Sequence, residues 1–247
     1  MTDAGVNRAY WDGYADEYQA AHAPMLDRPQ AWGTYARPEV ELGALGPLDA
    51  LAGATVLDLG CGAAQWAGAL TAVGARAVGL DASAAQLAHA VRRSTGARLV
   101  QGLADGLPFA TAAFDLVLSD HGAMGYTDPE RTVPEVARVL RPGGRLAFLV
   151  YSPLLALCWD GEAGRVGTAL RQPSSQLGRW EDETGFVSWD LRDGEWLALL
   201  GRHGLLVEDL IELVAPPGAT STHHDAETTA WARRWPLEHL WLARRLP

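Results

Sequence analysis

The chain of 247 residues contains no lysine, because all 20 of its basic residues are arginine. This absence excludes enzymes that form a Schiff base through lysine and nucleotide-binding proteins that hold phosphates with a P-loop lysine. Cysteine is almost as scarce, with only Cys61 and Cys158. Two cysteines give neither a disulfide framework nor the spaced cysteines of a zinc site. We therefore expect no metal.

Long apolar runs are also missing. No stretch of 18 apolar residues and no signal-peptide pattern occurs, so we expect a cytoplasmic protein without a membrane partner. The net charge is −10 and the arginines are scattered, whereas a nucleic-acid-binding protein concentrates basic residues on one face. This charge distribution argues against DNA or RNA as a partner and leaves small neutral or cationic ligands admissible.

Between residues 55 and 151, short apolar segments alternate with helical patterns. This alternation predicts an α/β fold with a parallel sheet covered by helices on both faces. An Arg-Pro-Gly-Gly turn is predicted at 141–144. The predicted strands are 55–59, 76–80, 97–101, 114–119 and 145–150, and the predicted helices are 63–73, 84–93 and 129–140.

The flanking segments differ from this central region. Residues 1–52 have helical patterning, and residues 152–193 lack any clear period and are too long for a simple connection. A helix at 195–203, a strand at 205–213, a polar loop at 215–228 and a strand at 238–245 follow. We expect a single domain over 1–247, in which 1–52 form lid helices and the 152–193 insertion forms part of a ligand pocket.

Four aromatic residues in the first segment share one helix face. Tyr10, Trp11, Tyr14 and Tyr18 are three or four residues apart, which is the spacing of one side of an α-helix. This face either packs on the core or covers a ligand, and the spacing does not distinguish the two.

A glycine motif follows the first predicted strand, in the sequence Asp58-Leu-Gly60-Cys-Gly62-Ala-Ala64. The glycines allow a tight turn and a close approach of the backbone to a ligand, and the next helix offers free N–H groups. The carboxylate of Asp58 suits a cationic group of the ligand. Gln65 occupies the third glycine position of a dinucleotide-binding loop, so that class is excluded.

Two further motifs end later strands. Asp81 lies where an acidic residue accepts hydrogen bonds from ribose hydroxyls, and Ser83 is the better candidate to cap the next helix. His121, in Ser119-Asp120-His121-Gly122, follows the fourth strand, and its near-neutral pKa suits a general base. A structural histidine bonded to the backbone remains the alternative.

The pair His223-His224 is a weaker candidate. Adjacent histidines in an extended chain point apart, so an exposed polar loop is predicted there instead of a metal site.

The segments VLDLGCGAA, GLDAS, Leu107–Phe109, FDLVLSD and EVARVLRPGG occur in this order. Together they resemble the class I S-adenosylmethionine (SAM) methyltransferases, and more narrowly the small-molecule methyltransferase-11 group of bacteria. The resemblance covers about residues 50–150, and the end at 231–245 resembles the closing strand of some bacterial members. It implies a Rossmann-like sheet of seven strands in the order 3-2-1-4-5-7-6, with the last strand antiparallel.

The resemblance also implies SAM as cofactor, with S-adenosylhomocysteine (SAH) as its product. Two departures from the family pattern are Ala64, where glycine is usual, and Leu103, where an adenine-reading Asp is usual; whether Asp105 replaces it stays open. The residues expected to bind the cofactor are Tyr18, Trp32, Asp58, Gly60, Cys61, Gly62, Asp81, Ala82, Gln86, Leu103, Ala104 and Asp120, and of these the resemblance itself implies Asp58, Gly60, Gly62, Asp81, Gln86, Leu103 and Ala104.

The expected function is methyl transfer to a small-molecule acceptor, on oxygen or nitrogen, by in-line displacement with general-base help from His121. Tyr14 and His121 are expected to contact the acceptor, and Tyr18 and Trp32 are expected near the methionyl end of SAM. A monomer or homodimer is expected. Three alternatives stay open: a fold relative that uses SAM as a scaffold for a non-methylating reaction, a peptide or protein methyltransferase, and a binding module with a vestigial site.

Overall fold

The computed structural model describes residues 2–28 and 30–247. Short 3₁₀ turns lie at Leu48–Leu51, Ala123–Gly125 and Ser174–Gln176. The helices and strands are, in chain order, α1 (Asp3–Leu26), β1 (Ala31–Trp32), β2 (Arg37–Pro38), α2 (Glu39–Leu42), β3 (Thr55–Leu59), α3 (Gln65–Ala72), β4 (Arg76–Asp81), α4 (Ala84–Arg93), β5 (Arg98–Gln101), β6 (Phe114–Asp120), α5 (Pro129–Val139), β7 (Leu140–Tyr151), α6 (Pro153–Cys158), β8 (Trp159–Asp160), β9 (Arg165–Val166), β10 (Arg179–Glu181), β11 (Val187–Trp189), α7 (Asp193–Arg202), β12 (Leu205–Leu213), α8 (Ala226–Ala232) and β13 (Glu238–Arg245).

A seven-stranded sheet in the order β12-β13-β7-β6-β3-β4-β5 forms the centre of the molecule. Strands β3 to β7 pair in parallel, and β13 pairs antiparallel with both β7 and β12. Numbered along the chain, the order is 3-2-1-4-5-7-6 with the last strand antiparallel. The predicted Rossmann-like methyltransferase fold is confirmed.

Alternation along the strands divides the core into two layers, since successive side chains of a strand point to opposite faces. In β3, Leu57 and Leu59 belong to the layer that also contains Phe148 and Trp241. Val56 belongs to the opposite layer. Both faces of the sheet are therefore packed, and the sheet holds the loops at its carboxyl edge in place.

Helix α1 lies against α4 and is fixed to it by polar contacts. The Ser83 hydroxyl donates to the Asp12 carboxylate (2.8 Å), and His89 contacts the Asp16 carboxylate (2.7 Å). Asn7 exchanges two hydrogen bonds with the backbone of Val187, at 2.8 and 2.7 Å. These contacts tie the first helix both to the sheet domain and to the 152–193 segment.

Three details differ from the sequence-based prediction. The predicted turn at 141–144 lies inside the continuous strand β7, where Gly143 has a φ of +78° and the pairing with β6 shifts register between Phe114 and Leu116. The 152–193 segment contains α6 and two short hairpins. Helix α8 begins at Ala226, inside the predicted polar loop. None of the helices in the described ranges is both long and apolar enough to cross a membrane.

Candidate active site

A large cavity opens at the carboxyl edge of the sheet, between α1 and the loops that follow β3, β4 and β6. It encloses about 870 Å³ of space, its open mouth included. This edge is where open α/β sheets bind their ligands. Its wall contains the following residues predicted from the sequence to bind cofactor or acceptor: Tyr18, Gly60, Cys61, Gly62, Asp81, Ala82, Gln86, Ala104, Asp120 and His121.

The glycine loop after β3 forms the floor of this large cavity. Gly60 and Gly62 have φ angles of +75° and +52°, in the left-handed region that glycine adopts without steric cost. A Cβ on Gly60 would lie 2.5 Å from the nitrogen of Ala123 and 2.7 Å from the Cα of Gly122. The loop after β3 and the loop after β6 therefore touch backbone to backbone, which only a glycine at position 60 permits.

Asp58 lies behind the cavity wall. It is 3 % exposed and accepts a hydrogen bond from the amide of Ala67 (2.9 Å), in the first turn of α3. Burial and the charges of Asp120 and Asp81 raise the pKa of Asp58 to about 7, although the hydrogen bond from Ala67 lowers it. Asp58 thus holds the loop and α3 together, and its contact with a cationic group, directly or through water, stays a prediction.

Asp81 lies on the cavity wall and ties two loops together. Its carboxylate accepts hydrogen bonds from the amides of Gly62 and Ser83, each at 2.8 Å. Burial raises its pKa, although these hydrogen bonds oppose the rise. The Ser83 hydroxyl caps α4 by accepting the amide of Gln86 (3.1 Å), as the sequence predicted, so the Asp81 carboxylate is not needed as a cap.

The opposite wall of the large cavity comes from α1 and α3, and it carries amides that the sequence analysis missed. Gln19 donates from Nε2 to the Oε1 of Gln86 (2.9 Å). The Oε1 of Gln19 and the Nε2 of Gln65 are buried and have no hydrogen-bond partner among the described residues. Both residues line the cavity. Buried polar atoms are rarely left unpaired in native proteins, so these two atoms indicate a polar ligand.

Two aromatic residues predicted at the site, Trp32 and Tyr14, lie off the wall of the large cavity. Trp32 is fully buried, packs on Trp66 and donates from Nε1 to Glu39 (2.6 Å), so it belongs to the core and does not line the cavity. Tyr14 packs beside Trp11 and Tyr18, and of these three only Trp11 and Tyr18 reach the cavity. The helical face was identified correctly, but which of its residues reach the cavity depends on how α1 packs against α4.

The adenine end also differs from the prediction. Leu103 does not line the large cavity, whereas its neighbours Gly102 and Ala104 do. Asp105, which the sequence left open as a substitute, forms an ion pair with Arg131 (3.4 Å) and lies off the cavity wall. Leu103 and Asp105 therefore lie off the wall of this cavity, and an adenine contact by either residue stays a prediction.

His121 and Glu238 form a buried ion pair at the end of β6. The Nε2 of His121 lies 2.6 Å from the Oε1 of Glu238, which is 1 % exposed. Burial lowers the pKa of His121, but the hydrogen bond to Glu238 and the charges of Glu238 and Asp120 outweigh it and raise the pKa above its usual value. Burial likewise raises the pKa of Glu238, and the contacts with His121 and Thr34 overcome that effect and lower it.

The backbone of His121 is also unusual, because its φ is +44°. Non-glycine residues in this region carry strain of about 1–3 kcal/mol that persists only where the surroundings enforce it. Asp120, beside it, accepts hydrogen bonds from the amide of Gly33 (3.1 Å) and the indole of Trp66 (3.2 Å). Burial raises the pKa of Asp120 to about 6, although the positive charge of His121 opposes the rise.

A small cavity lies on the other side of His121, with about 260 Å³ of space when its open mouth is included. Its walls come from the end of β7, the turn after β6 and the end of the 152–193 segment, and His121 lines both cavities. The side chains and backbone that form it belong to His121, Gly125, Tyr126, Leu149, Val150, Tyr151, Ser188, Trp189 and Asp190.

The two adjacent histidines lie near this region, half-buried. His224 contacts the Thr34 hydroxyl (3.0 Å), and Thr34 donates to Glu238 (2.8 Å). His223 stacks on His22, with ring centroids 3.9 Å apart. The prediction of an exposed loop is therefore wrong for these two side chains. Among residues 2–28 and 30–247, no group of three or more His, Cys, Asp or Glu side chains is arranged to hold a metal ion.

Comparison with known proteins agrees with this geometry. Residues 57–148 match the methyltransferase-11 family, described as a methyltransferase domain. An uncharacterized methyltransferase of Synechocystis sp. is 38% identical over 152 residues, which cover 57% of this chain and 72% of the relative. A demethylmenaquinone methyltransferase of Thermobifida fusca is 32% identical, over 59% of this chain and 61% of its own length.

A solved structure shares the fold across most of the chain. The SAM-dependent methyltransferase from Mesorhizobium loti aligns with a TM-score of 0.65 and 27% identity, covering 83% of this chain and 96% of that one. The similarity therefore extends beyond the central motifs to the closing strands of the sheet.

Proposed function

Because this chain belongs to the class I SAM-dependent methyltransferases, in the methyltransferase-11 family, we propose that it methylates a small-molecule acceptor held beside His121. The observation that carries the proposal is the position of His121, which lines both the large cavity and the small one. A methyl donor in the first cavity and a small group of the acceptor at the second would meet at this residue.

The large cavity fits the cofactor of the family by its chemistry. Gly60 and Gly62 leave its floor free of side chains, and the carboxylate of Asp81 offers acceptor oxygens for ribose hydroxyls. The unpaired amide atoms of Gln19 and Gln65 supply one acceptor and one donor. When bound, SAM supplies a methyl group on a positively charged sulfonium.

The carboxylates around the loop favour that positive charge. Burial raises the pKa of Asp58 and of Asp120, and each of these carboxylates lies close enough to other acidic groups to raise it further. A cation in the cavity would relieve this repulsion. We assign Asp120 and Asp81 to direct contact with the cofactor, Gln86, Ala82 and Ala104 to its adenosine part, Tyr18 and Cys61 to the surrounding wall, and Asp58 to support of the loop.

The His121–Glu238 pair supplies a base for acceptors that carry a proton at working pH. Glu238 engages Nε2, so in the neutral imidazole Nε2 carries the proton and Nδ1 is left to accept one. His121 would take the proton of the acceptor as the new bond to the methyl group forms, and the resulting imidazolium is stabilised by Glu238. General-base help of this kind contributes about 10²–10⁴-fold to the rate.

Helix α1 and the 152–193 segment complete the site as a cover. Trp11 and Tyr18 line the large cavity from α1, and Asn7 ties α1 to the backbone of Tyr126 and Val187. We propose that the whole chain acts as one domain in which 1–52 form the lid and 152–193 form part of the acceptor pocket. Excluding water strengthens the electrostatic interactions inside the site.

The cofactor assignment is tested by calorimetric titration of SAH into the wild type and two matched variants. Asp81→Ala removes a carboxylate from the cavity wall, and we expect affinity to fall by about tenfold to a hundredfold, since hydrogen bonds to a charged group contribute about 1.5–3 kcal/mol each. Asp105→Ala removes a carboxylate of the same type that lies off the wall, and we expect its affinity to match the wild type. Equal affinities in the two variants, or no binding to the wild type, would overturn the assignment.

A further inference from the structure

The turn between β1 and β2 wraps around the two carboxylates that flank His121. The amide of Gly33 donates to Asp120 (3.1 Å), and the amide of Thr34 donates to the Oε1 of Glu238 (2.8 Å). The turn lies so close to Glu238 that a Cβ on Gly33 would be 2.5 Å from its Oε2. The N-terminal segment therefore holds both acidic partners of a histidine that follows β6.

Thr34 extends this contact through its hydroxyl. The hydroxyl donates to the same Oε1 of Glu238 (2.8 Å), and the Nε2 of His224 lies 3.0 Å from the hydroxyl oxygen. Thr34 is 5 % exposed and Glu238 is 1 % exposed, so these bonds form away from bulk solvent. A continuous chain of hydrogen bonds thus runs from His224, through Thr34 and Glu238, to the Nε2 of His121 (2.6 Å).

The chemistry of the groups fixes the direction of each bond in this chain. An ionised carboxylate can only accept, and a hydroxyl has a single proton to donate. The Thr34 proton therefore points to Glu238, and the Nε2 of His224 is the donor to the Thr34 oxygen. Burial lowers the pKa of His224, so at neutral pH this ring is uncharged and carries its proton on Nε2.

We propose that Thr34 and His224 are positioning residues of the general base. His224 directs the Thr34 proton to Glu238, and Glu238 then holds His121 with its proton on Nε2 and with Nδ1 free to accept another. Neither Thr34 nor His224 lines the large or the small cavity, so each acts only through Glu238. This inference rests on the proposed function, because it concerns the same base.

Other titratable groups face the His121–Glu238 pair from the neighbouring elements. They are Asp120 on β6, Tyr126 in the turn after it, Tyr151 on β7, Tyr35 in the β1–β2 turn and His223 in the loop before α8. All five are unchanged in the variants below, so their influence on the pair is common to every comparison.

NMR of the whole protein with ¹⁵N-labelled histidine tests the chain directly, because the chemical shifts of the two ring nitrogens report which of them carries the proton. Spectra are recorded from acidic to alkaline pH, with and without SAH. His121 is assigned with His121→Gln, and His224 is assigned with His224→Phe. In the wild type we expect Nε2 to carry the proton in the neutral form of both rings.

Thr34→Val removes the hydroxyl and keeps the branched shape of the side chain. The titration midpoint of His121 should rise by about 1–2 pH units, because Glu238 loses a hydrogen bond that stabilises its charge and the pair then holds its proton more tightly. Thr34→Ser retains the hydroxyl and should titrate as the wild type does. His224→Phe should raise the midpoint by less, whereas His22→Phe, which removes a neighbouring ring outside the chain, should leave it unchanged.

The proposal is overturned if neutral His121 carries its proton on Nδ1, if the midpoint does not rise in Thr34→Val, if Thr34→Ser shifts it as much, or if His224→Phe and His22→Phe titrate alike. Should Thr34→Val fail to fold, the last comparison decides. Absence of SAH binding or of methyl transfer would instead contradict the proposed function and leave these titrations valid. The two failures are therefore distinguishable.

Discussion

Replacing His121 by glutamine is expected to lower kcat by about 10²–10⁴-fold, the range that general-base catalysis supplies. Glutamine can still donate a hydrogen bond to Glu238 but cannot accept a proton at neutral pH. This substitution is preferable to alanine, which would leave Glu238 as an unpaired buried charge at a cost of about 3–5 kcal/mol. His203→Gln is the control, because His203 lines neither cavity, and it should retain wild-type kcat.

The pH dependence of kcat/KM distinguishes a His121 that acts as a general base from one that is only structural. Because Glu238 and Asp120 raise the pKa of His121 above its usual value, kcat/KM should increase as pH rises through that raised pKa and the imidazole loses its proton. In Glu238→Gln the two contributions of Glu238 are removed, and burial, which lowers the pKa, is opposed only by the charge of Asp120. The rise of kcat/KM with pH should therefore move to lower pH, and its maximal value should fall. A rise that stays at the same pH would contradict the role of the His121–Glu238 pair.

Gly60→Ala is expected to lower SAH affinity by about a hundredfold. The new Cβ would approach the backbone of Ala123 and Gly122 to 2.5 and 2.7 Å, distances that backbone atoms cannot tolerate, at a φ of +75°. The loop must therefore move away from the loop after β6, and a displacement of about 1 Å in a binding site can cost about 10²-fold in function. Calorimetric titration with SAH measures the loss.

Alanine substitutions at two other glycines distinguish a steric clash from backbone strain as the cause of the lost affinity. Gly62→Ala has the strain of a φ of +52° but its nearest neighbour, the Oε1 of Gln86, is 3.8 Å away, so a penalty of about 1–2 kcal/mol is expected. Gly106→Ala meets no atom within 4 Å and should behave as the wild type. The account fails here if Gly60→Ala binds SAH as tightly as Gly106→Ala does.

The sheet could be predicted because its signals are local. Each strand from β3 to β6 is a short apolar run followed by a glycine, an acidic residue or a turn, and the predicted bounds of β12 and β13 agree with the structure. The glycine loop and Asp81 were found for the same reason: the carboxyl end of a parallel strand is fixed as soon as the strand is identified.

The partners of His121 could not be predicted in the same way, because they come from distant parts of the chain. Glu238 begins β13 and is paired with Tyr151 at the end of β7, so the antiparallel last strand brings it to the carboxyl edge. The strand order implied by the resemblance contained this information, and Glu238 could have been found by pairing β13 with β7.

Aromatic residues were the least predictable part of the site. Trp32, Tyr14 and Trp11 are all large aromatic residues of the N-terminal segment, yet Trp32 lies in the core, Tyr14 lies beside the cavity and Trp11 lines it. A large apolar ring gains by burial in any of these places. Which one it occupies is set by tertiary packing, for Trp11 and Tyr14 by the packing of α1 against α4.

The central claim is that this protein moves a methyl group from SAM to a small acceptor, and the most direct test follows that group. The protein is incubated with SAM carrying a deuterated methyl group and with a panel of small phenols, carboxylic acids and amines, and the products are analysed by mass spectrometry. We expect one deuterated methyl group on the acceptor and one SAH released for each product formed, with both lost in His121→Gln. Binding of SAM without any transfer of label to a small molecule would contradict the account and favour a reaction in which SAM serves as a scaffold.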